Sequence, residues 1–317
     1  MGGAEVIVRR LKERELNHEV FSLGINTRKI SIYFVRSLIS LVKLVSRSKD
    51  YDILHFHLFP AVYLSIFFPA SKVVIHEHNT YNRRRKFKIL PFVEKLIYKR
   101  AKVVICISNA VYQSLSSWLG YAGNLKVVNN FTRFETDCRD GNFKLDRPIQ
   151  LLMVASFTEQ KRQDLLLKLV SELEIDYRLT LIGDGPLLDE VQRLAVKLEI
   201  NEKIFWLKES NQLEKYYSES DFCFLLSDWE GFGLVILEAA SFCKPTFVFN
   251  VDGARDLVVN DNFVLDAGNF DDASDQILQS INAWHNIPYK AKTEMFSELV
   301  RPYSYKNFVH LLNVLYD

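Results

Sequence analysis

Asp221-Phe-Cys-Phe-Leu-Leu226, followed by Ser227-Asp-Trp-Glu230-Gly-Phe-Gly-Leu-Val-Ile-Leu-Glu238, reads as a strand, a glycine-bearing turn and a helix. The first run reads as a strand in the alternation of strands and helices along this half of the chain. Gly231 and Gly233 let the backbone approach a ligand closely, and the helix opening at Leu234 points N–H groups and the positive end of its dipole at whatever lies there. That geometry suits a diphosphate. Glu238, about one turn into the helix, can accept hydrogen bonds from vicinal hydroxyls such as those of a ribose. The same two glutamates, taken alone, also fit a solvated turn residue at Glu230 and a buried cap partner at Glu238.

Outward from this unit the chain repeats the same alternation. Ile149 to Val154, Arg178 to Ile182, Ile204 to Leu207 and Thr246 to Asn250 read as strands, with helices at Leu187 to Leu198 and Leu234 to Phe242. Upstream, the β-branched runs Asp52 to His57, Lys72 to His76, Lys102 to Ile107 and Leu125 to Val128 alternate with helical spacing at Ile30 to Val45 and Pro91 to Lys99. Strands separated by helices predict parallel, doubly wound sheets. The polar stretch Glu135 to Pro148 interrupts the alternation. The expected architecture is therefore α/β with two Rossmann-like domains, 1–145 and 146–317, the last helix packing back on the first. In such sheets ligands bind beyond the carboxyl ends of the strands, so a cleft between facing domains is the expected binding place.

Other candidates also follow strands. Lys161 and Arg162 come after Ile149 to Val154, where cations can neutralise phosphate. Gly183-Asp-Gly-Pro186 closes the strand ending at Ile182, but Leu188 stands where a dinucleotide fingerprint needs its third glycine. Gly2-Gly3 precedes a helical pattern from Val6 to Leu16, and His76, His78 and Asn79 follow the strand beginning at Lys72. No nucleophile-elbow sequence supports a hydrolase.

The net charge of +1 conceals an asymmetry, with 25 basic against 12 acidic residues up to Arg147 and 15 against 27 beyond it. Arg83-Arg-Arg-Lys86 with Lys88, Lys95, Lys99, Arg100 and Lys102 concentrates the basic charge, which suits an anionic membrane surface or a phosphorylated lipid. No nucleic-acid-binding motif surrounds these cations. The four cysteines are far apart and form no Cys-x-x-Cys or Cys/His metal spacing, so a reducing cytoplasm is expected. The most apolar stretch, Phe59 to Ala70, is broken by two prolines and is shorter than the ~20 residues a spanning helix needs.

Taken in order, these pieces resemble glycosyltransferase family 4, retaining enzymes of the GT-B fold that include many bacterial lipopolysaccharide, capsule and exopolysaccharide transferases. The likeness runs through Gly2-Gly3-Ala4-Glu5, Asp52 to His57, Val74-Ile-His76, Val127-Val-Asn-Asn130, Leu181 to Pro186 and the Glu230 to Glu238 box. It implies a nucleotide-sugar donor, UDP-linked by family frequency, and a lipid-linked or growing glycan acceptor. Glu238 would hold the ribose, Glu230 the transferred sugar, and the backbone of Phe232, Gly233 and Leu234 the sugar and phosphate. Lys161 would stabilise the departing diphosphate, His76 would lie near the reacting sugar, Arg162 and Gly183 would complete the donor side, and Gly2, Gly3, His78 and Asn79 would face the acceptor. No cofactor or metal is implied, and the enzyme is expected in the cytoplasm, peripheral to the membrane.

The chain departs from the pattern at Ser156, where the family carries an arginine, and at Phe131 and Cys243, where it carries glycines. The family's first strand normally precedes the glycine loop, so the first sheet is expected to lack it. These departures keep two alternatives in view, a sugar-nucleotide-binding subunit without turnover and a sugar-nucleotide epimerase.

Overall fold

The computed structural model describes residues 8, 42, 44–57, 60–86, 90–138, 147–266 and 272–316. Gly2, Gly3, most of Val6 to Leu16, most of Ile30 to Val45 and Lys88 lie outside these residues. The chain divides into two compact units, one reaching to Asn130 and resuming at Phe308, the other spanning Phe131–Asn307.

In the first unit four parallel strands stand in the order β1 (Leu54–His57), β2 (Val73–Glu77), β3 (Val103–Cys106) and β4 (Leu125–Val127). The helices α1 (Leu90–Arg100) and α2 (Asn109–Leu119) connect them. β2 is buried at all five positions, which is why Val73, Val74 and Ile75 form a continuous apolar run rather than an alternating one. α2 starts where the Ser108 hydroxyl accepts from Val111 N–H at 3.1 Å, a side-chain cap on an otherwise open helix end.

The second unit carries a six-stranded parallel sheet. Its strands are β5 (Ile149–Val154), β6 (Tyr177–Ile182), β7 (Ile204–Leu207), β8 (Phe222–Leu225), β9 (Thr246–Phe249) and β10 (Val264–Leu265), in the order β10-β9-β8-β5-β6-β7. Around it lie α3 (Gln163–Ser171), α4 (Leu188–Lys197), α5 (Leu213–Glu219), α6 (Leu234–Ser241), α7 (Ala273–His285) and α8 (Tyr289–Val300). Alternate strand residues serve opposite faces. Leu151, Met153, Phe222 and Phe224 pack in the larger core, whereas Leu152 and Cys223 pack with Tyr217, Ala239 and Phe242 in the smaller one. The last helix, α9 (Tyr305–Tyr316), begins in the second unit and belongs to the first from Phe308 onward.

The expected boundary at residues 145 and 146 falls inside the second unit. Thr132 N–H donates to Tyr303 O at 3.0 Å, its hydroxyl bonds Ser241 Oγ at 2.9 Å, and Phe131 lies edge-on to Tyr305. Phe131, in the glycine's place, thus fills interior volume.

Candidate functional site

Strands β5, β6 and β7 grow in one direction and β8, β9 and β10 in the other, so the order reverses between β5 and β8, which are direct neighbours. At such a reversal the loops leaving the two strands diverge and open a crevice at their carboxyl ends. Lys161 lies on the loop after β5 and Glu230 on the loop after β8, and they meet there with Nζ 2.7 Å from Oε2. Ser227 Oγ joins both, 3.3 Å from the ammonium and 3.2 Å from the carboxylate. Glu230 Oε1 accepts from Gly231 N–H at 3.3 Å.

Immediately beyond, Gly233 occupies the left-handed region with φ of 79°, and α6 starts there without a side-chain cap. A β-carbon at Gly233 would meet only the movable end of Ile236 at 2.8 Å, so it is the positive φ that calls for glycine here. Phe232 is buried against Tyr303, leaving the backbone of the turn rather than that side chain to present polar groups.

Glu238, one turn into α6, is buried. Arg133 Nε lies 2.7 Å from its Oε1, and Tyr217 OH donates to Oε2 at 2.8 Å. Burial raises the carboxyl's pKa and outweighs the opposing pull of Arg133 and Tyr217. Burial, with Glu238 beside it, likewise pushes the Tyr217 phenol well above its ordinary value. An ionised carboxylate has about four acceptor positions, so these two partners leave capacity for a ligand hydroxyl.

The other donor-side residues are placed less simply. Ser156 is exposed, and its carbonyl accepts from Gln163 Nε2 at 3.0 Å. Arg162 turns to Asp228 at 2.9 Å and Asp164 at 3.2 Å. Gly183 has a packing reason, since a β-carbon there would lie 1.9 Å from Ala155 O.

In the first unit His76 is buried inside a stack of imidazoles rather than presented on an open surface. Its ring centroid is 4.5 Å from His78, 4.9 Å from His57 and 5.2 Å from His55. His57 and His76 are register partners on β1 and β2, and two-residue spacing puts His55 on the same face as His57. One ring nitrogen from each of His55, His57 and His76 lies within 4.8 Å of the others. Linear spacing alone hid this group, which the register of β1 against β2 brings together.

Neither ring nitrogen of His76 has a hydrogen-bond partner, an arrangement costing about 1–3 kcal/mol per buried group. Burial pushes His57 down to about 4. It also lowers His76 and His78 well below the ordinary value, with the neighbouring imidazoles adding to the effect. Beside the stack, Glu77 Oε1 accepts from the backbone N–H of His78 and of Asn79, both at 3.0 Å.

Cys138 and Cys243 are joined as a disulfide although 105 residues separate them, while Cys106 and Cys223 are free and buried. Arg133, Tyr217, Ser227 and the His55/His57 pair were not identified from sequence; the Asp52 to His57 strand and the serine opening the glutamate box were the available signals.

A family model described as glycosyl transferases group 1 matches residues 135–294, and one for glycosyltransferase family 4 matches residues 2–135. An uncharacterized glycosyltransferase of Methanocaldococcus jannaschii is 26% identical over 56% of this chain and 49% of its own. The Campylobacter jejuni N-acetylgalactosamine-N,N'-diacetylbacillosaminyl-diphospho-undecaprenol 4-alpha-N-acetylgalactosaminyltransferase is 32% identical over 36% of this chain and 32% of its own. The chain thus spans about half or less of these curated relatives. Among solved structures, Anabaena HepE in complex with UDP and glucose matches with a TM-score of 0.76 and 17% identity, covering 96% of this chain and 87% of that one. This likeness shows the fold, two parallel-sheet α/β domains of the GT-B kind. With half its length matched by the first of these family models, the chain belongs to the glycosyl transferases group 1 family.

Proposed function

We propose that the chain moves a sugar, with retention of configuration, from a nucleoside-diphosphate donor to a lipid-linked or growing glycan acceptor in polysaccharide assembly. The observation that carries this reading is the meeting of Lys161 and Glu230 at the strand-order reversal, beside the uncapped start of α6. A diphosphate entering there competes with Glu230 for the Lys161 ammonium and receives the N-terminal dipole of α6. Freed from the lysine, Glu230 accepts hydroxyls of the transferred sugar, while Glu238, oriented by Arg133 and Tyr217, accepts from the ribose.

Negative charge builds on the diphosphate as the sugar–oxygen bond breaks, and preorganised positive groups at that point lower the barrier. In this reading Lys161 and the helix end supply that charge, and no metal takes part in the step. The donor is assigned as a UDP-sugar, in line with the UDP bound by HepE. The acceptor class follows the diphospho-undecaprenol in the Campylobacter relative's name. No helix among the described residues is long and apolar enough to cross a membrane. We place the protein in the cytoplasm, docked peripherally through the first unit, where Phe92 and Leu96 are exposed on the helix that carries Lys95 and Lys99.

A thermal-shift panel of UDP, GDP, ADP and their sugar conjugates tests the donor site. Ligand at 100 times its dissociation constant adds about 2.7 kcal/mol of stability. Stabilisation by one base, lost in Glu238→Ala, is expected; no response to any would overturn the reading. Exposed Ser156 and the engagement of Arg162 by Asp164 and Asp228 favour, as a second reading, a subunit that binds donor without turnover. Product analysis with and without acceptor separates transfer, epimerisation and binding alone.

A further inference from the structure

We propose that His55, His57 and His76 form a binding site for one transition-metal ion of the zinc type, clipping β1 to β2 in the first unit. The donor chemistry belongs to the second unit, so this site stands or falls independently of it.

Three features point to a ligand. Three imidazoles offer one nitrogen each within 4.8 Å of one another. Zinc–imidazole bonds of about 2.0–2.1 Å put tetrahedral ligand atoms roughly 3.3 Å apart, and because the lone pairs lie in the ring planes the stacked imidazoles would turn out of their stack to converge on one ion. The second feature is His76, 1% exposed with both ring nitrogens lacking a hydrogen-bond partner. A bound cation gives one of them a partner in a place water does not reach.

The third feature is the outer layer. His57 Nδ1 lies 3.1 Å from His78 Nε2, and His55 Nδ1 lies 2.7 Å from the Tyr316 hydroxyl. Metal-bound histidines usually donate their second N–H to a neighbouring acceptor, which fixes the tautomer. If both Nδ1 atoms donate to these partners, Nε2 keeps its lone pair for the ion. Tyr316 lies near the end of α9, so the ion would also anchor the returning helix to the sheet. An all-imidazole set selects zinc, copper, nickel or iron over magnesium or calcium, which prefer oxygen.

The test uses untagged chain, treated with chelator and titrated with zinc or cobalt(II). One equivalent per chain is expected, with a rise in melting temperature and the visible absorption bands of a four-coordinate cobalt site. His76→Gln and His57→Gln should abolish stoichiometric binding, while His285→Gln, on α7, leaves it intact. Tyr316→Phe keeps the ring and should weaken binding by about 10-fold. If the histidine variants do not fold, X-ray absorption of the zinc-loaded native chain decides, with three imidazole nitrogens at about 2.0 Å expected. Sub-stoichiometric uptake, binding unchanged in the folded variants, or fewer than three imidazole ligands would overturn the site.

Discussion

Lys161 stands 2.7 Å from Glu230, so one carboxylate already occupies the cation assigned to the leaving diphosphate. Lys161→Ala is expected to lower kcat by about 100- to 1000-fold, the range for removing one preorganised charge-stabilising group. Steady-state kinetics would show it, with donor KM changing less. At Glu238 the expected effect is on stability and pH. Burial raises its folded pKa above the ordinary 4.5, so its favourable contribution is complete below that value and is lost as pH rises through the folded pKa. Lowering the pH toward 4.5 should therefore stabilise the native chain relative to Glu238→Gln in urea melts. An opposite slope would mean that Arg133 outweighs desolvation. The positions of Lys161 and Glu230 after strand ends were legible in sequence, and the structure brings these two side chains together. Arg133 and Tyr217 were not legible, because only the folded second unit brings them to Glu238. The imidazole stack was hidden for the same reason, since it depends on the register of β1 against β2.

At the scale of elements, β5 and β7 begin and end where the apolar runs do, and α6 opens at the expected Leu234. The sheet order was beyond reach, because strand neighbours are chosen by packing between distant segments. Cys243 shows how a departure at one turn is accommodated. It holds a φ of 56°, the left-handed conformation that favours glycine, and is bonded to Cys138. In reductant, where the staple is absent from both proteins, Cys243→Gly should be more stable than the native chain by about 1 kcal/mol. Without reductant the order should reverse, since closing a loop of about 100 residues constrains the unfolded chain by up to about 4.7 kcal/mol. Paired denaturation curves check both. On α1, Phe92 and Leu96 are one turn apart and exposed, with Lys95 and Lys99 along the same helix. Phe92→Glu combined with Leu96→Glu should abolish flotation with anionic vesicles and leave transfer to a water-soluble acceptor unchanged.

For the whole molecule, each unit has its own sheet and its own core. Calorimetry is expected to resolve two transitions, with the donor nucleotide moving only one of them, because a ligand stabilises the part whose unfolding destroys its site. A single transition shifted as a whole would show that the units unfold together. The charge division at Arg147 was readable from composition alone, and it falls inside the second unit rather than at the boundary between Asn130 and Phe131. The boundary itself was missed because Phe131, Thr132 and Arg133 resemble a linker until their partners Tyr305, Ser241 and Glu238 are known. The bond between Cys138 and Cys243 also makes a covalent ring of β5 through α6, the stretch that carries both glutamates and Lys161. A protease cutting once anywhere inside that ring would release no fragment. The nicked protein would run as one species on a gel until thiol was added, and then as two.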